Sequence, residues 1–193
     1  MRVWKWGHAE ENDEWVAAVG GNFPEISLGF NGESRSGDWE VLKLEGIHRA
    51  SPPLKSDSPW FCAHVPLLSD RAKGCLADLM EGRAELLPAD FGGQRLWLVN
   101  VWTLPDCIDY ERSVFEVLPS TGAIHGFREY QFREEAIRGL DIFRIRDELR
   151  FRPCVSDRFV ERVRECGLVG LEFELIWDSE LPPGGIVFDS ICT

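Results

Sequence analysis

The sequence predicts an α+β fold, a mixed and mainly antiparallel sheet with two main helices packed against it. Three observations predict it. Two stretches place apolar residues at helical spacing between a capping serine and a stopping glycine. Several shorter stretches alternate at strand spacing, and clusters of Gly, Asn and Pro separate them.

Taken in order, residues 3–6 form an aromatic strand candidate, followed by an acidic stretch at Glu10, Glu11, Asp13 and Glu14. Turn formers follow at Gly20-Gly21-Asn22 and Asn31-Gly32. A second strand is expected over 39–44, where Trp39, Val41 and Lys43 alternate with Glu40, Leu42 and Leu44. Ser51-Pro52-Pro53 ends this segment, because consecutive prolines continue neither a helix nor a central strand. The spacing then predicts a helix over 70–81, with Ser69 as N-cap, Asp70 in the first turn, apolar Ala72, Cys75, Leu76, Leu79 and Met80 on one face, and Gly82 as the stop. Strands are expected over 84–87 and 95–102, separated by Phe91-Gly92-Gly93. Both parities of the second are apolar, which places it in the middle of a sheet covered on both faces.

Between residues 106 and 137 the pattern yields only a short strand near 130–132. Residues 140–146 and 149–152 then flank Asp147-Glu148 as a hairpin, with Arg144, Arg146, Arg150 and Arg152 on one face. The second helix starts at Ser156, runs over Phe159, Val160, Val163 and Cys166, and stops at Gly167. After it Leu171, Phe173, Leu175 and Trp177 alternate with Glu172 and Glu174, a strand with one buried and one acidic side. Pro66-x-x-Ser69-Asp70-Arg71 matches Pro153-x-x-Ser156-Asp157-Arg158, each opening a helix that leads to a strand. That match fits a duplicated helix-strand unit, and equally fits convergence on a good helix start.

The 193 residues include eight Trp and twelve Phe spread along the chain, so every stretch is expected to fold. Residues 1–58 are expected as a strand and loop segment packed on a main domain of residues 59–193, the two forming one compact unit. No apolar run reaches the roughly 18 to 20 residues that cross a bilayer, and residues 1–6 lack the apolar stretch of a secretory signal. A cytoplasmic location is the expectation. Cys62, Cys75, Cys107, Cys154, Cys166 and Cys192 form no Cys-x-x-Cys pair, which suits reduced thiols. The formal net charge of −12 makes nucleic acid and anionic membranes poor partners. Such acidity serves either solubility or a basic partner.

The motifs of phosphate-binding loops, dinucleotide folds, serine hydrolases and zinc proteases are missing. Cys62-x-His64 is the only close soft pair, and a structural zinc site needs two more ligands than it offers. No metal, no cofactor and no catalytic residues are therefore expected. The plentiful carboxylates leave a small hydrolase or a scaffold module as alternatives. The hairpin arginines are read as partners for Glu172 and Glu174, or for other acids, rather than as a phosphate or carboxylate-ligand site.

The ordered segments Val65-Pro66-Leu67-Leu68-Ser69-Asp70-Arg71-Ala72, Glu85-Leu86-Leu87-Pro88, Trp97-Leu98-Val99-Asn100-Val101, Asp109-Tyr110-Glu111-Arg112-Ser113, Ile142-Phe143-Arg144 and Val155-Ser156-Asp157-Arg158-Phe159, with a Gly-Leu-x-Phe ending at Phe173, resemble the imm-eleven type of bacterial immunity protein. The resemblance spans roughly residues 60–177 and implies a non-enzymatic protein of interbacterial competition. It would bind and neutralise a cognate toxin encoded beside it, often one with a nuclease-like domain. A nuclease tends to be basic, and an acidic inhibitor would meet it faster at low salt. The acidic clusters with neighbouring tryptophans are accordingly the expected toxin-binding residues: Glu10, Glu11, Asp13, Glu14 and Trp15, and Glu172, Glu174, Trp177, Asp178 and Glu180.

Overall fold

A computed structural model describes residues 1–9, 14–20, 23–48 and 50–186, with the backbone alone for 23–25 and 48. Its elements in chain order are β1 (Arg2–His8), β2 (Glu14–Ala18), α1 (Phe23–Leu28), β3 (Leu42–His48), β4 (Leu67–Ser69), α2 (Asp70–Met80), β5 (Ala84–Phe91), β6 (Gln94–Val101), β7 (Val114–Val117), β8 (Ile124–Glu129), α3 (Glu134–Ile137), β9 (Ile142–Phe143), β10 (Cys154–Ser156), α4 (Asp157–Glu165) and β11 (Leu171–Asp178). The fold is α+β, as expected. One sheet has the order β11-β1-β10-β9, a second β2-β3-β5-β6-β4, and β7-β8 is a separate ribbon. Every pairing is antiparallel except β3 with β5.

The longer helices lie side by side between the two sheets. Trp6, Leu68, Leu76, Val99, Ile142, Phe159 and Val163 share one core with them. The far face of the five-stranded sheet buries Val16, Phe30, Leu44, Leu96 and Leu98, and the far face of the four-stranded sheet buries Val3, Phe127, Phe143 and Ile176. β6 therefore sits inside its sheet with apolar cover on both faces, which is why both of its parities are apolar.

The two Pro-x-x-Ser-Asp-Arg stretches build the same structure. Each forms a three-residue strand and then a helix, and each serine caps its helix by accepting an N–H three residues on, Ala72 at 3.1 Å and Phe159 at 3.2 Å. The same serine hydroxyls donate to an aspartate far upstream, Ser69 to Asp57 and Ser156 to Asp141, both at 2.7 Å. The module arginines pair with those aspartates too, Arg71 with Asp57 at 2.7 Å and Arg158 with Asp141 at 2.9 Å. Even the flanking strand repeats: Trp97 on β6, beside β4, donates its indole N–H to Asp70, and Trp4 on β1, beside β10, donates to Asp157. Gly82 and Gly167 end the helices at φ of 66° and 59°, values that cost a side chain-bearing residue roughly 1–2 kcal/mol.

The helices run antiparallel. Arg71 in the first turn of α2 donates to the Cys166 and Gly167 carbonyls at the end of α4. Arg158 and Arg162 of α4 reach Asp78 in the last turn of α2. Asp78 sits at the negative end of its helix dipole with no basic residue of α2 in that turn, and the neighbouring helix supplies the compensating charge.

Four sequence expectations are corrected. The strand expected at 39–44 begins at Leu42, because Trp39 instead donates its indole N–H to the Pro88 carbonyl and packs against Phe30. The strand expected near 130–132 lies earlier, at Ile124–Glu129, and only Phe132 makes a single bridge, to Ile108. The hairpin over 140–152 does not form. β9 pairs with β10, a 3-10 turn occupies Arg146–Glu148, and the four arginines do not share a face. Arg144 is buried, donating to the Phe30, Leu149 and His64 carbonyls, and desolvation lowers its pKa to about 10. Arg152 does pair with Glu174, as the charge pattern anticipates. The fourth correction is Trp177, which is not an exposed anchor. Val3 pairs with Trp177 and Trp4 with Leu175, so Ile176 is an extra residue in the ladder. The bulge turns Ile176 and Trp177 together into the third core, where the Trp177 ring meets Phe132 at 5.5 Å and its N–H reaches Gln131.

Candidate functional site

Glu10, Glu11 and Asp13 lie outside the described residues, but Glu14 and Trp15 open β2. Along β2 the residues Val16 and Ala18 turn into the core beneath the five-stranded sheet, which leaves Trp15 and Ala17 on the opposite face. In the ladder Trp15 stands opposite Ile47 and Ala17 opposite Glu45. Ile47 is 42% exposed, a large apolar side chain in the open. β5 pairs with β3 only over Leu42–Leu44, so the Trp15 and Ile47 end of the ribbon projects beyond it.

The outer edge of β2 is closed by one residue from a distant segment. Trp60 donates its N–H to the Glu14 carbonyl at 2.9 Å and accepts the Val16 N–H at 2.8 Å. That pairing brings the Trp60 indole within 6.1 Å of Trp15 and sets it against His8 from the end of β1, centroid to centroid 4.4 Å. His8 and Trp15 meet edge-on at 6.2 Å. Three half-buried rings and one exposed isoleucine thus form an apolar patch where the two sheets join.

Burial pushes the His8 pKa below its ordinary value, with the nearby Glu172 charge acting against burial and Arg152 acting with it. That shift favours the uncharged imidazole, which suits a patch of rings and methyl groups. Acids rim it. Glu45 is exposed one ladder position away, Glu172 is exposed opposite Gly7, and Glu14 borders Trp15. The Glu14 carboxylate already accepts the Lys55 and Ser56 N–H groups, so it also anchors the loop that leads to Trp60. Such a surface can dock a partner through aromatic anchors ringed by charge.

The structure therefore gathers only some of the residues that the sequence groups together. Glu14, Trp15 and Glu172 meet at the patch. Glu174 is tied to Arg152 and Trp177 is buried. Asp178, opposite Arg2, and Glu180, whose N–H bonds Asp178, lie at the other end of β11, about 20 Å from Glu172 by strand rise. His8, Trp60, Ile47 and Glu45 were not anticipated from sequence. The one available signal was Glu45-x-Ile47 on the polar parity of an alternating strand.

Cys62 and His64 stand 3.9 Å apart, both buried, and His64 Nε2 donates to the Ser27 carbonyl. Among the described residues no cluster of three or more His, Cys, Asp or Glu could hold a metal ion, and no helix is long and apolar enough to cross a membrane. No curated protein matches the sequence. A family profile does match, over residues 67–178, which is more than half of the chain and includes both Ser-Asp-Arg modules. On that match the chain belongs to the Immunity protein family (Imm11).

Proposed function

We propose that this immunity protein acts in the cytoplasm by binding a cognate secreted bacterial toxin directly, and that the patch of His8, Trp15, Ile47 and Trp60 is the surface that meets it. The protein is then an inhibitor and not an enzyme. The observation that carries the reading is an acid-rimmed apolar patch on an Imm11 chain of net charge −12. A basic toxin, such as a nuclease that holds phosphates, matches that rim, and long-range attraction speeds the encounter. Glu10, Glu11 and Asp13 precede Glu14 in sequence and are proposed to take part in toxin binding with it. Asp178 and Glu180 form a second acidic group and serve as its internal control.

Kinetics with the toxin encoded beside the gene tests this. Trp15→Ala combined with Ile47→Asp should weaken binding by about 100-fold or more through faster dissociation, as loss of aromatic anchors does. Reversing Glu45 and Glu172 to Lys should slow association several-fold and flatten its salt dependence, whereas reversing Asp178 and Glu180 should do neither. Unchanged affinity in the patch variant would remove the patch from the interface, and no binding of the wild-type chain would overturn the inhibitor reading itself.

A further inference from the structure

The likeness of the two modules reaches beyond their helices. Ser69 faces Leu96 across β4 and β6, and Ser156 faces Val3 across β10 and β1. One strand further, Leu96 pairs with Ala89 and Arg95 with Asp90, as Val3 pairs with Trp177 and Arg2 with Asp178. Asp90 of β5 and Asp178 of β11 thus hold equivalent places, and both are used alike. Asp90 Oδ1 accepts the Gly93 N–H at 3.1 Å, and Asp178 Oδ1 accepts the Glu180 N–H at 2.9 Å. There the likeness stops. The outer edge of β5 is covered by β3, whose Leu42, Lys43 and Leu44 run parallel to it opposite Ala89, Asp90 and Phe91, with the Lys43 ammonium 2.9 Å from Asp90 Oδ2. β11 is the edge of its sheet, and no described residue pairs with its outer side or bonds Asp178 Oδ2.

Where β3 would lie in the second module there is a polar cleft of about 490 Å³. Trp177 and Ser179, the counterparts of Ala89 and Phe91, form one side of it, and no residue of β1 lines it, so it opens along the outer edge of β11. Its own arginines each face an acid. Arg133 is paired with Asp106, Arg112 stands 3.9 Å from Asp109, and Arg138 stands 3.8 Å from Glu134. Arg2, across the ladder from Asp178, is paired with Asp157 at 3.0 Å. The open carboxylate at this edge is therefore Asp178.

We propose that this cleft takes an extended segment of a partner protein, laid parallel to β11 as β3 lies along β5, and carrying a basic residue between two apolar ones. The basic side chain pairs with Asp178 as Lys43 pairs with Asp90. The apolar side chains turn to the side of Phe132 and Trp177, as Leu42 and Leu44 turn into the core under β5. Backbone groups of the segment join the open edge, and the four-stranded sheet gains a fifth strand. The site is independent of the toxin patch, which lies about 20 Å away at the Glu172 end of β11.

The probe is the strand that fills the equivalent place, an acetylated and amidated peptide of residues 41–46, Val-Leu-Lys-Leu-Glu-Gly. Titrated into the nitrogen-15-labelled full chain, it should bind saturably in the sub-millimolar range, shifting the Trp177 indole and the Phe173, Leu175 and Asp178 amides while the Trp15 indole stays put. The Lys43→Glu peptide should bind roughly fivefold more weakly. Asp178→Asn, whose Oδ1 still accepts the Glu180 N–H, should remove most of that preference, and Asp178→Lys should invert it. No saturable binding, shifts centred on Trp15 instead of Trp177, or an unchanged peptide preference in Asp178→Lys would each overturn the proposal. So would self-association of the chain along β11, which would make a second copy the occupant. If Asp178→Lys fails to fold, the wild-type and Asp178→Asn titrations with both peptides decide.

Discussion

The two Ser-Asp-Arg modules share their caps, their aspartate bonds and their indole contacts, yet they are embedded differently. Asp57, with its side chain 7% exposed, bonds Ser69 and Arg71 and also accepts the Val169 N–H at 3.0 Å, so it ties three separate segments. Asp141, 15% exposed, bonds Ser156 and Arg158. Arg71 goes on to close the end of α4, whereas the second nitrogen of Arg158 stands 3.8 Å from Asp78. A six-residue motif thus specifies local geometry twice over, but the weight of each copy is set by residues remote in sequence.

The largest test of that contrast is alanine at the two aspartates. Asp57→Ala leaves a hydroxyl, a guanidinium nitrogen and a backbone N–H without their acceptor in a nearly closed site, and should cost about 3–4 kcal/mol by urea denaturation. Asp141→Ala should cost about 1–2 kcal/mol, since water reaches its partners more easily. Equal losses would show that the motif itself carries the energy.

A third carboxylate extends the rule beyond the modules. Glu85 on β5 is buried, which opposes its charge, but the Asn100 amide, the Arg35 N–H, the Ser34 hydroxyl and the Ser36 N–H outweigh burial and hold its pKa below the ordinary 4.5. A lowered folded pKa stabilises fully above the unfolded value and is lost as pH falls through the folded one. Wild type should therefore lose more stability than Glu85→Gln on acidification from pH 5 to pH 3, and parallel curves would contradict the hydrogen-bond account.

Ser69→Ala and Ser156→Ala should each cost about 1 kcal/mol, nearly equal because the cap is local, with toxin binding unchanged in the folded fraction. Abolished binding at unchanged stability would make the motif part of the interface. The smallest effect is expected at Arg158→Ala, about 0.5 kcal/mol or less in a guanidinium 63% exposed.

The helices were legible in the sequence because a cap, a period and a stopping glycine all act within a dozen residues. β6 and the first half of β5 were legible for the same reason, but the expected strand over 84–87 stops short of Pro88 to Phe91, which continue the ladder to the glycine turn. β7 and β8 were not, since their ladder shifts register after Val114 and after Glu116, which destroys the period-two signal. Trp177 lies on the buried parity of its strand and only its acidic neighbours suggested an anchor, while the bulge at Ile176 brings that residue into the same core beside it. Of the candidate site, Trp15 and its acidic neighbours could be read from sequence. Trp60 and His8 could not, because their contact with Trp15 depends on strand pairings between segments far apart in the chain.

The crossed arginines of α2 and α4 have a consequence for how the molecule comes apart. Each helix ends against an arginine from the first turn of the other, so opening either helix whole loses its own compensated end and withdraws the arginine from its neighbour's. Opening one helix alone is therefore penalised twice. Backbone amides in α2 and α4 should exchange with deuterium as one cooperative unit, at matching rates, while those of the β7 and β8 ribbon exchange sooner and independently.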